Sequence, residues 1–497
     1  MFKNFPGYKV LEKIQKNKSH KRERKLPLNA IKLIFIVAIT SVIALLPTES
    51  FGIEGLTVVH QRIISMFVFA ALMWLTEAMP SWVTSMVVVT IMLFTVSTSA
   101  FSFLRPEGGA GLIPFKNIMA CFANPTIMLF IGGFVLAIGL TKVKLDVALA
   151  RVLLKPFGTR SEVVLLGFIL VTAIFSAFVS NTATAAMMLA FLTPVLKSLP
   201  ADGKGRIALA LAIPVGANLG GMITPIGTPP NMIALDYLSS QGMGISFVDW
   251  TIKMAPFVIV LLVLAWLLLR FLFPFKQKHI KIEIEGDIKW NRHTWAVVAA
   301  FVITIFMWMF GTDLWGIDTN VVAMLPIAIF CATGILTRRD LEEINWSVLW
   351  MVAGGFALGV ALNYKDASSV SLSSLIVESV PFDNFSPLMV MILAGLICFG
   401  FSNFISHSAA TSLLVPVLGV VAVGMSDALT AVGGAQAMLV GIAIASSVSM
   451  ILPISTPPNA IAHSTGFIEQ KDMMKVGIII GVLGIILGYA MLIFIGF

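Results

Sequence analysis

Residues 401–416 read FSNFISHSAATSLLVP and set an ionisable side chain, His407, between two serines inside a long apolar region. Residues 175–190 read FSAFVSNTATAAMMLA, nearly the same stretch, with Asn181 where the histidine would stand. A second pair follows the same logic: TPIGTPPNMIA at 224–234 and LPISTPPNAIA at 452–462. Ser and Thr ahead of a helical run act as N-caps, and proline is tolerated at the first helical position, where a missing N–H costs little. Each stretch therefore starts a helix, at Ser180-Asn181-Thr182, Ser406-His407-Ser408, Thr228-Pro229 and Thr456-Pro457. Four such N-termini brought together offer free N–H groups and helix dipoles to an anion. Two matching donor sets suit a substrate with two anionic ends, and no Lys or Arg in these stretches clamps it permanently. The carbonyls and hydroxyls just ahead of the breaks, near Ser176, Ser180 and Gly227, can instead coordinate a small cation. For any one stretch, plain helix-to-helix hydrogen bonding explains the polar residues as well; four stretches in matched pairs argue for a site.

The elements that must position these residues are membrane helices. Of 497 residues, 58% are hydrophobic and only 12% charged, where a soluble domain carries about 25%. The chain is an all-α polytopic membrane protein. Cys121, Cys331 and Cys398 lie far apart in apolar segments, without metal or disulfide spacing. No HExxH or GxSxG is present and no membrane aspartate pair suggests an acid protease, so an enzyme is not expected. Neither a cofactor nor a nucleic-acid partner is expected: the net charge of +8 is mostly loop charge. Residues 1–29 read as a basic cytoplasmic N-terminus that anchors topology beside anionic lipid.

A spanning helix needs about 20 apolar residues. Eleven spans are expected, near 30–47, 61–80, 82–101, 125–141, 207–239, 250–274, 294–311, 319–336, 346–362, 433–464 and 475–496. Prolines break 207–239 and 433–464. Two more apolar blocks, 161–198 and 386–425, carry polar clusters at their middles and read as re-entrant hairpins. Residues 142–158 and 364–381 read as amphipathic surface helices. With the N-terminus inside and the C-terminus outside, only Arg62, Arg105, Lys116, Lys253 and Lys365 of the 33 Lys and Arg fall outside, as the positive-inside rule requires.

Three stretches recur in order at a nearly constant offset. The two pairs above are joined by IGGFVLAIG at 131–139 and AGGFALGVA at 353–361. The chain is thus a duplication: repeat 1 spans 61–274, a cytoplasmic linker 275–293, and repeat 2 spans 294–497, with 30–47 outside the repeat. Five crossings per half make the repeats inverted, as in many secondary transporters, where substrate sits at mid-membrane between the halves. Asn231 and Asn459 are expected to brace the broken helices, and Glu77, in WLTEAMP, to hold a helix end.

With WLTEAMP, ANPTIMLFIGGF, SNTAT and both TPPN stretches, nearly the whole chain resembles the divalent anion:sodium symporters, the INDY-type dicarboxylate and citrate transporters. The resemblance implies a plasma-membrane homodimer whose mobile domain works as an elevator. It implies substrate contacts from Ser180, Asn181 and Thr182 and from Ser406, His407 and Ser408, with Ser176, Ser180, Asn181 and Gly227 around a first sodium. Its substrates would be C4–C5 dicarboxylates: succinate, malate, fumarate, 2-oxoglutarate. His407 and Ser408 depart from the family's Asn and Thr, and Ala190 stands where the family often has proline. Ser408 keeps a hydroxyl. Imidazole nitrogen, however, is a poor ligand for a hard cation, whereas an imidazolium puts a charge and two donors beside a dianion. A second sodium is therefore doubtful. The expectation is a sodium-independent dicarboxylate exchanger, with sodium symport as the alternative, His407 then being a neutral polar residue, and an anion channel as a distant third.

Overall fold

A computed structural model describes residues 26–200, 203–280, 290–366, 369–379 and 385–497. Most of the expected N-terminal segment 1–29 and much of the linker 275–293 lie outside the described residues. The described chain is helical, with isolated bridges in place of any strand. Both halves build the same order of elements, because both carry the same sequence of apolar runs, hydroxyl caps and prolines. In the first half, Val58–Thr76, Ser81–Thr95 and Pro125–Lys142 lead through Leu145–Leu154 to the arms Ser161–Phe178 and Asn181–Ser198. The pieces Gly205–Gly220 and Pro229–Ser240, then Phe247–Leu272, close it. In the second half, Arg292–Trp315, Met324–Ala332 and Trp346–Asn363 lead through Leu372–Ser379 to Pro387–Phe404 and His407–Gly424. Gly434–Ser447, Pro457–Ser464 and Gln470–Phe494 complete the chain.

Among the described residues nine helices are long and apolar enough to cross a membrane, ten if one bent pair counts as a span. Three of the nine are arms of the two hairpins, so length and apolarity alone do not return eleven crossings. Two expected spans are shorter than the apolar run. The run 82–101 is helical only to Thr95, because the Ser97 hydroxyl donates to the Leu93 carbonyl (2.6 Å) and accepts from Ser99 N (3.0 Å). The run 319–336 ends its helix at Ala332, where Gly334 turns left-handed (φ 69°) and Leu336 N returns to the Phe330 carbonyl (2.9 Å). Glu77 does close a helix: it is the C-cap of Val58–Thr76, in the left-handed region at φ 47°.

The halves interlock crosswise. Pro229–Ser240 of the first packs on His407–Gly424 of the second, and Pro457–Ser464 of the second packs on Asn181–Ser198 of the first. Each hairpin arm is thus seated on the other half's broken helix, and that brings all four N-termini together. Asn231 and Asn459 hold the breaks. The Asn231 amide reaches the carbonyls of Gly221 (3.2 Å), Met222 (3.4 Å) and Thr224 (2.9 Å), and the Asn459 amide those of Met450 (2.9 Å) and Leu452 (3.1 Å). Buried carbonyls left unpaired cost about 1–3 kcal/mol each. Asn231→Ala is expected to destabilise the protein by roughly 2–4 kcal/mol, read as a fall in thermal midpoint in detergent.

Leu145–Leu154, one of the two expected surface helices, carries a buried acid. Burial pushes the Asp146 carboxyl from 3.8 up to about 6, against hydrogen bonds from Val147 N and Thr141 that pull it down. A raised acid stabilises the fold only while protonated. The contribution of Asp146 to stability is therefore greatest at low pH, falls as pH rises from near 4 through about 6, and is level beyond. The full difference is roughly 3 kcal/mol. Asp146→Asn is expected to flatten the thermal midpoint across that window and to raise it at pH 7.

Candidate functional site

Each hairpin tip is one extended residue followed by a serine cap. Val179 (φ −124°, ψ 152°) ends the first arm, and Ser180 caps the second by accepting from Ala183 N at 3.3 Å. Ile405 and Ser406 repeat this, with Ala409 N at 3.2 Å. Thr456 caps its helix through Asn459 N at 3.2 Å. Thr228 is an N-cap by position, but its side chain makes no cap bond.

All ten expected substrate residues, Ser180, Asn181, Thr182, Thr228, Pro229, Ser406, His407, Ser408, Thr456 and Pro457, line one cavity of about 390 Å³. Gly227 lines it too. Ser176 lies behind the tip, fully buried. The remaining wall includes Pro80, Ser81, Trp82, Leu129, Gly133 and Met232, and among the described residues that line the cavity His407 is the sole ionisable one.

The two polar ends of this cavity differ. In the first half the Ser176 hydroxyl lies 2.5 Å from Asn181 Oδ1 and 2.7 Å from the Ala217 carbonyl. One hydroxyl hydrogen cannot serve two acceptors, so three oxygens converge, the ligand chemistry a small hard cation takes. The neighbouring backbone has no room for side chains. A Cβ on Gly227 would strike the Gly221 carbonyl oxygen, and one on Gly221 would come within 2.6 Å of Asn181 Oδ1.

In the second half the matching positions carry side chains. By the repeat alignment, Ser449 stands for Gly221 and Ser455 for Gly227. The Ser455 hydroxyl donates to the Asn403 carbonyl (3.0 Å), and that of Ser449 turns to the carbonyls of Ala445 (2.8 Å) and Phe399 (3.1 Å). The imidazole is buried, and its Nε2 sits 2.5 Å from the Ser449 carbonyl oxygen. A carbonyl only accepts, so Nε2 carries a hydrogen and donates it to backbone. One of the two donors expected beside a dianion is thus directed at the protein itself.

Sequence reasoning missed Asn218, Asn403, Ser446 and Ser449. Ser446 bonds the His407 carbonyl (3.0 Å) and receives the Ser402 and Thr411 hydroxyls (3.0 and 2.9 Å). Asn218 donates to Asn459 Oδ1 (3.0 Å) and ties the two broken helices together. The signal for Ser455 was in the aligned TPIGTPPN and LPISTPPN, where serine replaces glycine.

The family model of the sodium:sulfate symporter transmembrane region matches residues 28–496. The chain belongs to this family of divalent anion:sodium symporters. Among its relatives, an uncharacterized transporter of Haemophilus influenzae is 29% identical over 473 residues, covering 92% of this chain and 94% of the relative. The sodium-dependent dicarboxylate transporter SdcS of Staphylococcus aureus (strain USA300) is 28% identical over 496 residues, covering 92% of this chain and 90% of SdcS. The SdcS of Staphylococcus saprophyticus is likewise 28% identical, over 460 residues, covering 85% of this chain and 84% of that relative. Among solved structures, the YdaH transporter of Alcanivorax borkumensis matches at a TM-score of 0.53 with 12% identity, covering 88% of this chain and 99% of YdaH. That likeness concerns the fold. The protein is a multi-pass membrane transporter.

Proposed function

We propose that the protein is a sodium-coupled transporter of C4–C5 dicarboxylates, binding the dianion between the two hairpin tips and sodium at the oxygens behind the first tip. The reading is carried by one observation: two serine-capped tips and the N-termini of two broken helices, one of them capped by Thr456, face a single cavity of about 390 Å³ that no Lys or Arg among the described residues lines. An anion held by neutral dipoles needs a counter-charge, and a bound cation supplies one. The convergent oxygens of Ser176, Asn181 and Ala217 suit it. The name of SdcS, a sodium-dependent dicarboxylate transporter, supports coupling to sodium over the sodium-independent exchange expected from His407 alone. The imidazole geometry limits the coupling instead. With the Ser449 carbonyl already engaged, the second half lacks an equivalent oxygen cluster, so we assign the coupling to the first half. Elevator motion and a homodimer belong to the same proposal.

The deciding experiment is uptake of labelled succinate into proteoliposomes, with external sodium and internal unlabelled dicarboxylate varied independently. A sodium gradient alone should drive accumulation into empty vesicles. Uptake that needs internal dicarboxylate and ignores sodium would replace symport with exchange.

A further inference from the structure

A second, larger cavity of about 1080 Å³ lies beside the substrate cavity, toward the face that carries Gln241 and Asp318. Loop charge puts that face outside. Leu129 and Met232 are the two residues common to both cavities, and both are buried. One turn farther out on the same two helices, the Thr126 hydroxyl donates to Asp236 Oδ1 at 2.8 Å. Thr126 and Asp236 form one rung of the seam between these helices, and Leu129 and Met232, one turn inward on each, stand where the two cavities meet.

The two helices otherwise belong to different neighbourhoods. Pro229–Ser240 starts at the substrate cap Thr228 and packs on His407–Gly424 and Gly434–Ser447. Pro125–Lys142 packs on Thr319–Val322 and Met324–Ala332. The seam therefore joins the substrate-bearing helices to the remainder of the protein, and it stands between the substrate and the outer cavity.

We propose that this seam is the outer gate of the substrate site, with Leu129–Met232 as its apolar seal and Thr126–Asp236 as its lock. The proposal rests on the substrate reading of the smaller cavity. Its physical basis is that the two rungs do different work. A pair of buried apolar side chains excludes water from a narrow passage, as hydrophobic constrictions do in channels. A hydrogen bond to a carboxylate is stronger than one between neutral groups. Here it is made between two helices with different main neighbours, at the wall of a cavity. When the seam parts, the carboxylate exchanges the Thr126 hydroxyl for cavity water, so both the shut and the parted arrangement satisfy it.

The test is labelling of a reporter thiol in the full-length protein in sealed vesicles. Gly133 lines the substrate cavity and has open space where a Cβ would be, so G133C is introduced after Cys121, Cys331 and Cys398 are changed to Ala. A membrane-impermeant maleimide is applied to each face in turn. T126V keeps the shape and removes the hydroxyl; D236N removes the charge. Each is expected to speed labelling from the Gln241 face about tenfold, the change that losing one such hydrogen bond gives. L129A should do the same by opening the seal. Unchanged labelling in all three, with normal reactivity after permeabilisation, would overturn the gate, as would a gain confined to the opposite face. If D236N fails to fold, T126V and L129A decide. The labelling needs no dicarboxylate, so a failure of succinate uptake with the labelling result intact would strike the substrate reading and leave the gate standing.

Discussion

Gly227→Ala is expected to weaken sodium-driven uptake sharply, through a loss of sodium affinity, while leaving the protein folded. The added methyl would be driven into the Gly221 carbonyl oxygen. Gly221 cannot retreat freely, because the space beside its own Cα is taken by the Asn181 carboxamide, 2.6 Å from where a Cβ would be. The push is therefore relayed to Asn181, which lies 2.5 Å from the Ser176 hydroxyl. Overpacking of this kind costs about 1–3 kcal/mol, and every 1.4 kcal/mol taken from binding is tenfold in affinity. Sodium affinity should fall by roughly 10–100-fold. The readout is the rise in thermal midpoint with sodium, since a ligand at 100 times its dissociation constant stabilises by about 2.7 kcal/mol. In Gly227→Ala the same sodium concentration should give only about 0.4–1.4 kcal/mol. Ser455→Gly, at the matching place in the second half, should leave the rise nearly intact, because that position already holds a side chain and binds backbone in place of a cation. Equal effects of the two substitutions would mean that sodium does not favour the first half.

Much of this asymmetry was legible in the sequence, though only its outline. The four helix starts were visible because each is written twice over: a hydroxyl before a proline or an Ala-rich arm, and the same again in the other repeat. Asn231 and Asn459 were legible for the same reason, since a carboxamide one residue past a proline pair has only the broken backbone to serve. The second-half network was not. Ser446 and Ser449 are two hydroxyls in an apolar run, and nothing local says that Ser446 will meet the His407 carbonyl or that the Ser449 carbonyl will take the imidazole hydrogen. Those contacts depend on how segments about forty residues apart come to lie together. The seam was hidden in another way: Thr126 sits in a stretch read as a membrane span and Asp236 in the outer arm of a broken one, and nothing in either stretch pairs them. Span lengths were overread where apolar residues continue past the last helical turn, as after Thr95, because hydropathy does not register a serine that folds back on its own helix.

His407→Asn tests what the imidazole does, and it separates the two readings of the second half. In the native chain the ring donates to the Ser449 carbonyl, and around it the Ser402, Thr411 and Ser446 hydroxyls bond one another and the His407 carbonyl. The Ser449 carbonyl is thereby taken by a nitrogen donor. Asparagine is shorter and brings a carbonyl oxygen in place of the ring. If the ring stands in for a cation, the variant should bind dicarboxylate about 10–100-fold more weakly without sodium, the cost of leaving a buried carbonyl unpaired. Sodium should then restore the affinity, with uptake rising more steeply than first order in sodium, because a second ion now has oxygen ligands on both sides. His407→Leu removes both donor and ligand and should lose binding at any sodium concentration. The opposing outcome is equally plain. If His407→Asn leaves dicarboxylate affinity and the order in sodium as they were, the imidazole only shapes the cavity. The single cation behind the first tip then supplies all the counter-charge the dianion receives.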